Sequence, residues 1–249
     1  MNRLVILLLF SSVIFLASAR ASENESKKIQ AIAFDALALF DASPLAKEAA
    51  KQFPGRGKQL AEDWRIRLFE YQWLRAAGSH YADFEQVAAD ALAYAARKNQ
   101  VALNSEQRES LLSTLHQLRA YEDVKPALEK LKSSGWRLLL LSNMSPAMLQ
   151  AAIRNSHLDG MFDAVLSTHQ IHTYKPDPKA YQLGVDSVRL PRDRILFIPS
   201  AGWDLAGARW FGYPVWWLNR AAVAAEALDA SPEPGGTSMS DLVRFLAFR

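Results

Sequence analysis

The chain carries two kinds of hydrophobic pattern. Short, largely apolar runs occur at Ile29 to Phe34, Trp136 to Leu141, Ala164 to Ser167, Ile195 to Ile198 and Pro214 to Leu218. Such runs mark strands buried on both faces. Between the later ones, apolar residues recur at three- and four-residue spacing over Val124 to Ser133, Pro146 to Ser156, Pro178 to Val188 and Leu205 to Phe211, which predicts helices. Strand and helix therefore alternate from about residue 122 onward. That order predicts an α/β fold built on a doubly wound parallel sheet.

Residues 43 to 121 break the alternation. Helical spacing runs through Leu60 to Ala77, Phe84 to Ala96 and Ser105 to Leu118 without a convincing strand, so a helical cap is predicted, inserted after the first strand. A Pro/Gly/Ser loop from Ser231 to Gly236 precedes a last helix over Ser240 to Phe248. The N-terminus follows another logic. Arg3, the apolar stretch from Leu4 to Leu16 and the segment Ala17-Ser18-Ala19-Arg20-Ala21 form the three parts of a secretory signal peptide. The apolar stretch is shorter than the roughly 20 residues of a membrane span. The expected organisation is a signal peptide over 1–21, an α/β core over 22–42 and 122–249, and a helical cap over 43–121. The mature protein is expected to be periplasmic or secreted, without stable membrane association.

Composition narrows the possible functions. The formal charge of +3 falls to +1 when Arg3 and Arg20 are removed with the leader. No run of lysine and arginine interleaved with aromatics occurs elsewhere, so a nucleic-acid partner is not expected. The chain has no cysteine. Disulfides, thiol catalysis and thiolate metal sites are thereby excluded.

Candidate chemistry lies where strands end, since ligands of open parallel sheets gather at the strands' carboxyl ends. Asp35 follows the first strand, Ser142-Asn143 the second, Lys175 lies in Tyr174-Lys175-Pro176-Asp177-Pro178, and Asp204 follows Pro199-Ser200-Ala201-Gly202-Trp203. Alone, each has an ordinary structural use as a strand end, helix cap or solvated turn. Together they supply a carboxylate nucleophile, a hydroxyl and amide pair, a cation able to keep that nucleophile ionised, and a second carboxylate to activate water.

At this point the sequence resembles the (S)-2-haloacid dehalogenases of the haloacid dehalogenase superfamily. The resemblance is carried by Phe34-Asp35-Ala36, Phe40-Asp41, Phe53-Pro54-Gly55-Arg56-Gly57, Trp64-Arg65, Glu70-Tyr71-Gln72-Trp73-Leu74-Arg75, Leu141-Ser142-Asn143, Tyr174-Lys175-Pro176-Asp177 and Trp203-Asp204 with Gly207-Ala208-Arg209. It spans almost the whole mature chain. It implies that Asp35 attacks C2 of a small halogenated carboxylic acid with inversion, and that water hydrolyses the resulting aspartyl ester to a hydroxy acid. By the same resemblance Arg65 and Asn143 assist the departing halide, Ser142 binds the substrate carboxylate, Lys175 holds Asp35 charged and Asp204 activates the water. Phe69, Phe84 and Trp203 would line an apolar pocket. No cofactor or metal is implied, and a homodimer is expected by analogy.

Two departures qualify the pattern. The family sequence after the nucleophile is one residue longer and carries a Tyr-Gly-Thr turn, whereas this chain reads Asp35-Ala36-Leu37-Ala38-Leu39-Phe40-Asp41. Its Ser-Ser-Asn becomes Pro199-Ser200-Ala201, removing a hydroxyl and an amide that orient the hydrolytic water. These departures define a second reading, a catalytically weak or inactive periplasmic binder of small carboxylates. A superfamily phosphatase is a third. It is disfavoured because Leu37 stands where those enzymes use a second aspartate, and the fourth motif keeps only Asp204, too few carboxylates for magnesium.

Overall fold

The computed structural model describes residues 29–247; the segment 1–21 expected to be a signal peptide lies outside them. Four parallel strands form the central sheet: β1 (Ala31–Phe34), β4 (Arg137–Ser142), β5 (Ala164–Ser167) and β6 (Ile195–Ile198), in the order β5-β4-β1-β6. Phe34 pairs with Leu140 on one side and Ile198 on the other. The carboxyl ends of β1 and β6 therefore finish level, and β4 runs two residues further, to Ser142. Val215 adds one parallel bridge beside Phe197. Of the run predicted over Pro214 to Leu218, only Trp217–Leu218 (β7) is a strand, and it pairs with Gly235–Gly236 (β8).

The apolar runs follow from burial on both faces. Ile32, Phe34, Leu138, Leu140, Leu196 and Ile198 point into one core. Their neighbours Ala31, Ala33, Leu139, Leu141, Ile195 and Phe197 point into the other, as the two-residue period of a strand requires. The helices of the alternating half are α6 (Val124–Ser133), α7 (Pro146–Asn155), α8 (Pro178–Val188) and α9 (Gly202–Phe211). A last helix, α10 (Met239–Ala247), packs on α6.

A four-residue helix α1 (Ala36–Leu39) and a short strand β2 (Phe40–Asp41) follow β1. Four helices come next: α2 (Ser43–Gln52), α3 (Gly57–Ala77), α4 (Phe84–Lys98) and α5 (Ser105–Ser113). Two details differ from the sequence pattern. The helix predicted to reach Leu118 gives way to a 3-10 turn over Thr114–His116, and β3 (Arg119–Ala120) then pairs antiparallel with β2. A two-residue strand is too short to show alternation, so its pairing is decided by tertiary contact. Among the described residues no helix is long and apolar enough to cross a membrane.

Candidate active site

Asp35 is the first residue beyond β1, and its backbone N–H donates to the carbonyl of Ile198 at 3.0 Å. It also caps α1: one carboxylate oxygen, Oδ2, accepts from the N–H of Leu37 at 3.0 Å and from the Ser200 hydroxyl at 3.1 Å. The other, Oδ1, faces the Lys175 ammonium at 2.7 Å. That ammonium also reaches Asp204 Oδ2 at 2.7 Å and the Leu141 carbonyl at 3.3 Å. Lys175 thus bridges two carboxylates that belong to different strand ends and are separated by 169 positions in the chain.

Lys175 and Asp204 are each 1% exposed. Burial by itself would depress the lysine, but Asp204 and Asp35 outweigh it and hold the ammonium above the ordinary lysine range. Asp204 is pushed up to about 6 by its own burial, with Lys175 pulling it back and the charge of Asp35 adding to the rise. Its second oxygen, Oδ1, accepts from the Tyr181 hydroxyl at 2.7 Å. Burial and the Asp204 charge lift that phenol well above its ordinary range, so Tyr181 stays a donor at any working pH.

Two local features fix these groups. Asp177 caps α8 through the N–H of Lys179 at 2.9 Å, which ties the turn carrying Lys175 to the helix carrying Tyr181. On α9, Gly207 leaves room for both: a Cβ there would lie 2.7 Å from Pro176 and closer still to the Tyr181 hydroxyl. The glycine therefore serves close approach, and it belongs to the Gly207-Ala208-Arg209 motif seen in the sequence.

The amide of Asn143 is held from every side. Its Oδ1 accepts from the N–H of Lys175 at 2.8 Å and the Thr168 hydroxyl at 3.3 Å, while Nδ2 donates to Gln72 Oε1 at 2.8 Å and to the Lys175 carbonyl at 3.4 Å. Gln72 comes from α3 and is fully buried, so this contact joins the inserted helices to the sheet. Ser142 Oγ accepts from the N–H of Met144 at 3.1 Å, leaving its proton to donate elsewhere.

A cavity of about 820 Å³ opens between the inserted helices and the strand ends. Of the residues singled out by sequence, Asp35, Arg65, Phe69, Phe84, Ser142, Asn143, Lys175 and Trp203 all line it, and Asp204 sits behind Lys175. Phe69 and Trp203 meet at 5.5 Å between ring centroids. Trp73 completes that aromatic group at 5.4 Å from Trp203. The Arg65 guanidinium is held by Glu62 through Nε at 3.2 Å and Nη2 at 2.7 Å, and its side chain is 58% exposed. Sequence reasoning missed Tyr181, Gln72 and Ser200 as members of the site. Tyr181 reads as an ordinary core position on a helix, whereas Gln72 carried a signal in the segment Glu70 to Arg75 and Ser200 in its place in the loop after β6.

The family model for haloacid dehalogenase-like hydrolases matches residues 12–212. Haloacetate dehalogenase H-2 of Moraxella sp. (strain B) is 37% identical over 224 residues, covering 89% of this chain and 99% of its own. The (S)-2-haloacid dehalogenase of Pseudomonas sp. (strain YL) is 35% identical over 216 residues, covering 86% of this chain and 93% of its own. A solved structure of the L-2-haloacid dehalogenase from Xanthobacter autotrophicus with chloropropionic acid covalently bound superposes with a TM-score of 0.81 at 29% identity. The match covers 88% of this chain and 98% of that one.

Proposed function

Because the chain belongs to the haloacid dehalogenase-like hydrolases, and within them to the (S)-2-haloacid dehalogenases, we propose that it hydrolyses short (S)-2-haloalkanoic acids to (R)-2-hydroxyalkanoic acids. The observation that carries this reading is the Lys175 ammonium held at 2.7 Å from both Asp35 and Asp204. A nucleophilic carboxylate must be ionised and partly desolvated, and a buried cation meets both needs.

In the first step the Asp35 carboxylate attacks C2, the carbon–halogen bond breaks, and the halide leaves with the bonding pair. C2 inverts and becomes an ester of Asp35. The Ser142 hydroxyl and neighbouring backbone N–H groups hold the substrate carboxylate. Phe69, Phe84 and Trp203 provide the apolar wall, and the inserted helices act as a cap over it. Arg65 assists the halide once it turns from Glu62. Asn143 contributes chiefly by fixing the Lys175 backbone, since both its amide hydrogens already face protein acceptors.

In the second step Asp204 takes a proton from water as the water oxygen attacks the ester carbonyl of Asp35; the bond from that carbonyl carbon to the substrate oxygen breaks, and the leaving oxygen takes the proton back as the hydroxy acid is released and the Asp35 carboxylate is restored. Ala201 offers this water no side-chain donor or acceptor, so hydrolysis is the slower step and the ester accumulates. The donor set also argues against phosphoryl transfer with magnesium, because Leu37 stands in place of a second aspartate and both oxygens of Asp204 already accept, from Lys175 and from Tyr181.

Purified protein given (S)-2-chloropropionate in the presence of EDTA should release chloride, with a burst of about one equivalent before the steady state. Mass spectrometry should find the ester on the peptide carrying Asp35, and Asp35→Asn should abolish both. Absence of chloride release at every pH would overturn the reading.

A further inference from the structure

The short helix α1 begins at the nucleophile. Its Leu37 N–H donates to Asp35 Oδ2 at 3.0 Å, and its Ala38 N–H donates to the Asp35 carbonyl at 3.1 Å. Part of what orients the Asp35 carboxylate therefore depends on this turn staying wound. A helix of four residues does not keep itself wound, because a single turn orders more backbone than its few hydrogen bonds repay. Phe40 N–H closes the turn on the Ala36 carbonyl, and the carbonyls beyond it need partners from outside the helix. Ala38 and Leu39 are fully buried, where an unpaired carbonyl is costly.

Arg220, in the turn after β7, supplies the outside hold. Its Nε donates to the Ala38 carbonyl at 3.0 Å. Nη1 and Nη2 donate to Asp123 Oδ2 at 3.1 Å and Oδ1 at 2.9 Å, a bidentate pair that fixes the plane of the guanidinium. The guanidinium carbon lies 4.1 Å from the centre of the Tyr121 ring, and the Tyr121 N–H donates to the Leu39 carbonyl at 3.0 Å. Asp123 is held in turn by the N–H of Met239, at the start of α10, at 2.9 Å. The loop after β3 and the first turn of α10 thus act on α1 through one side chain. They do so at the segment where the sequence is one residue shorter than the family pattern.

We propose that Arg220 is a positioning residue for Asp35. It keeps α1 wound from its C-terminal end, and α1 keeps the carboxylate from rotating, with Oδ2 on the Leu37 N–H and Oδ1 on Lys175. The effect on turnover rests on the hydrolase reading above; the effect on α1 does not.

In Arg220→Ala, single-turnover halide release from saturating (S)-2-bromopropionate should fall by about tenfold, because a small displacement of a reacting group is enough to cost that much. The substrate concentration giving half of that rate should change by less than about twofold, since Ser142 and the apolar wall are untouched. Millimolar guanidinium sulfate should restore part of the rate. Arg220→Lys should show the same loss as Arg220→Ala, because an ammonium has no planar fork to engage Ala38 and both Asp123 oxygens together. Amide hydrogen exchange gives a readout independent of turnover: Leu37, Ala38 and Phe40 should exchange at least about tenfold faster in the variant, while β4 and β6 keep their protection. The proposal is wrong if Arg220→Ala leaves halide release or the exchange of those three amides unchanged. It is equally wrong if β4 and β6 lose protection to the same degree, which would mark a general loss of stability. Should Arg220→Ala not fold, the same measurements on Arg220→Lys decide in the same terms. If the unmodified protein releases no halide, the hydrolase reading falls and the exchange pattern alone decides whether Arg220 holds α1.

Discussion

At the scale of single residues, the site depends on one cation between two acids. Removing one partner of a buried charge group leaves the remainder uncompensated, at a cost of about 3–5 kcal/mol. In Lys175→Met, Asp204 would lose the charge that lowers it and keep the Asp35 charge that raises it, so its folded-state pKa, already about 6, would rise further above the unfolded one. Acids raised in this way favour the folded state below their unfolded pKa, and that advantage is lost as pH rises through the folded pKa. Thermal melts of the variant should therefore show a lower Tm than the unmodified protein at pH 8 and a partial recovery towards pH 5. Melts that are equally depressed at both pH values would show that charge is not the cause.

Tyr181 gives a kinetic counterpart. A general base works only when ionised, so with Asp204 near 6 the ester-hydrolysis rate should fall as pH drops through about 6. The Tyr181 hydrogen bond lowers Asp204. Tyr181→Phe should move that acid limb to higher pH and enlarge the ester population trapped by acid quench, while single-turnover halide release changes less. An unshifted limb would assign the base to another group. Asp35, Lys175 and Asp204 were legible in the sequence because acids and a lysine at strand ends are chemically conspicuous. Tyr181 was not, since a tyrosine at helical spacing in α8 reads as core, and its hydroxyl finds Asp204 only through the approach of α9.

At the scale of elements, the strands and helices of the alternating half were legible because each buries a face whose period its own residues display. Ala164–Ser167, Ile195–Ile198, Val124–Ser133 and Pro178–Val188 occupy the spans their patterns predict. The start of α9 was not, because Gly202-Trp203-Asp204 carries no apolar period and Ala201 offers no side-chain cap; that first turn is fixed by what it packs against. Gly207 makes the dependence testable. Its substitution by alanine would push a methyl into Pro176 and the Tyr181 hydroxyl, an overpacking that costs about 1–3 kcal/mol and lowers Tm by roughly 2–4 °C per kcal/mol for a chain of this size. The displaced Tyr181 should also shift the acid limb of activity in the same direction as Tyr181→Phe. A variant with unchanged Tm and pH profile would mean that α9 moves away without disturbing the site.

At the scale of the whole molecule, the inserted helices and the sheet are joined at the reacting centre rather than only at the chain crossings. Trp203 on α9 meets Phe69 at a tilt and Trp73 edge-on, both of α3, Tyr174 donates to the Ala82 carbonyl at 2.7 Å, and Gln72 receives Asn143. The last contact is the most direct, for Asn143 in turn holds the N–H of Lys175. Gln72 keeps a buried Nε2 without a partner, so its amide is poorly used as a stabilising group. Gln72→Leu would remove that unpaired donor while leaving one hydrogen of Asn143 unpaired, two effects of opposite sign and each about 1–3 kcal/mol. Stability should therefore change by less than about 1 kcal/mol, whereas kcat/KM for chloropropionate should fall by about tenfold as Asn143 loses its register and the Lys175 backbone with it. The two quantities are separable by a denaturant melt and a chloride-release assay on the same preparation. A fall in stability with activity preserved would make the contact a packing feature of the interface, and would leave the alignment of Lys175 to the sheet alone.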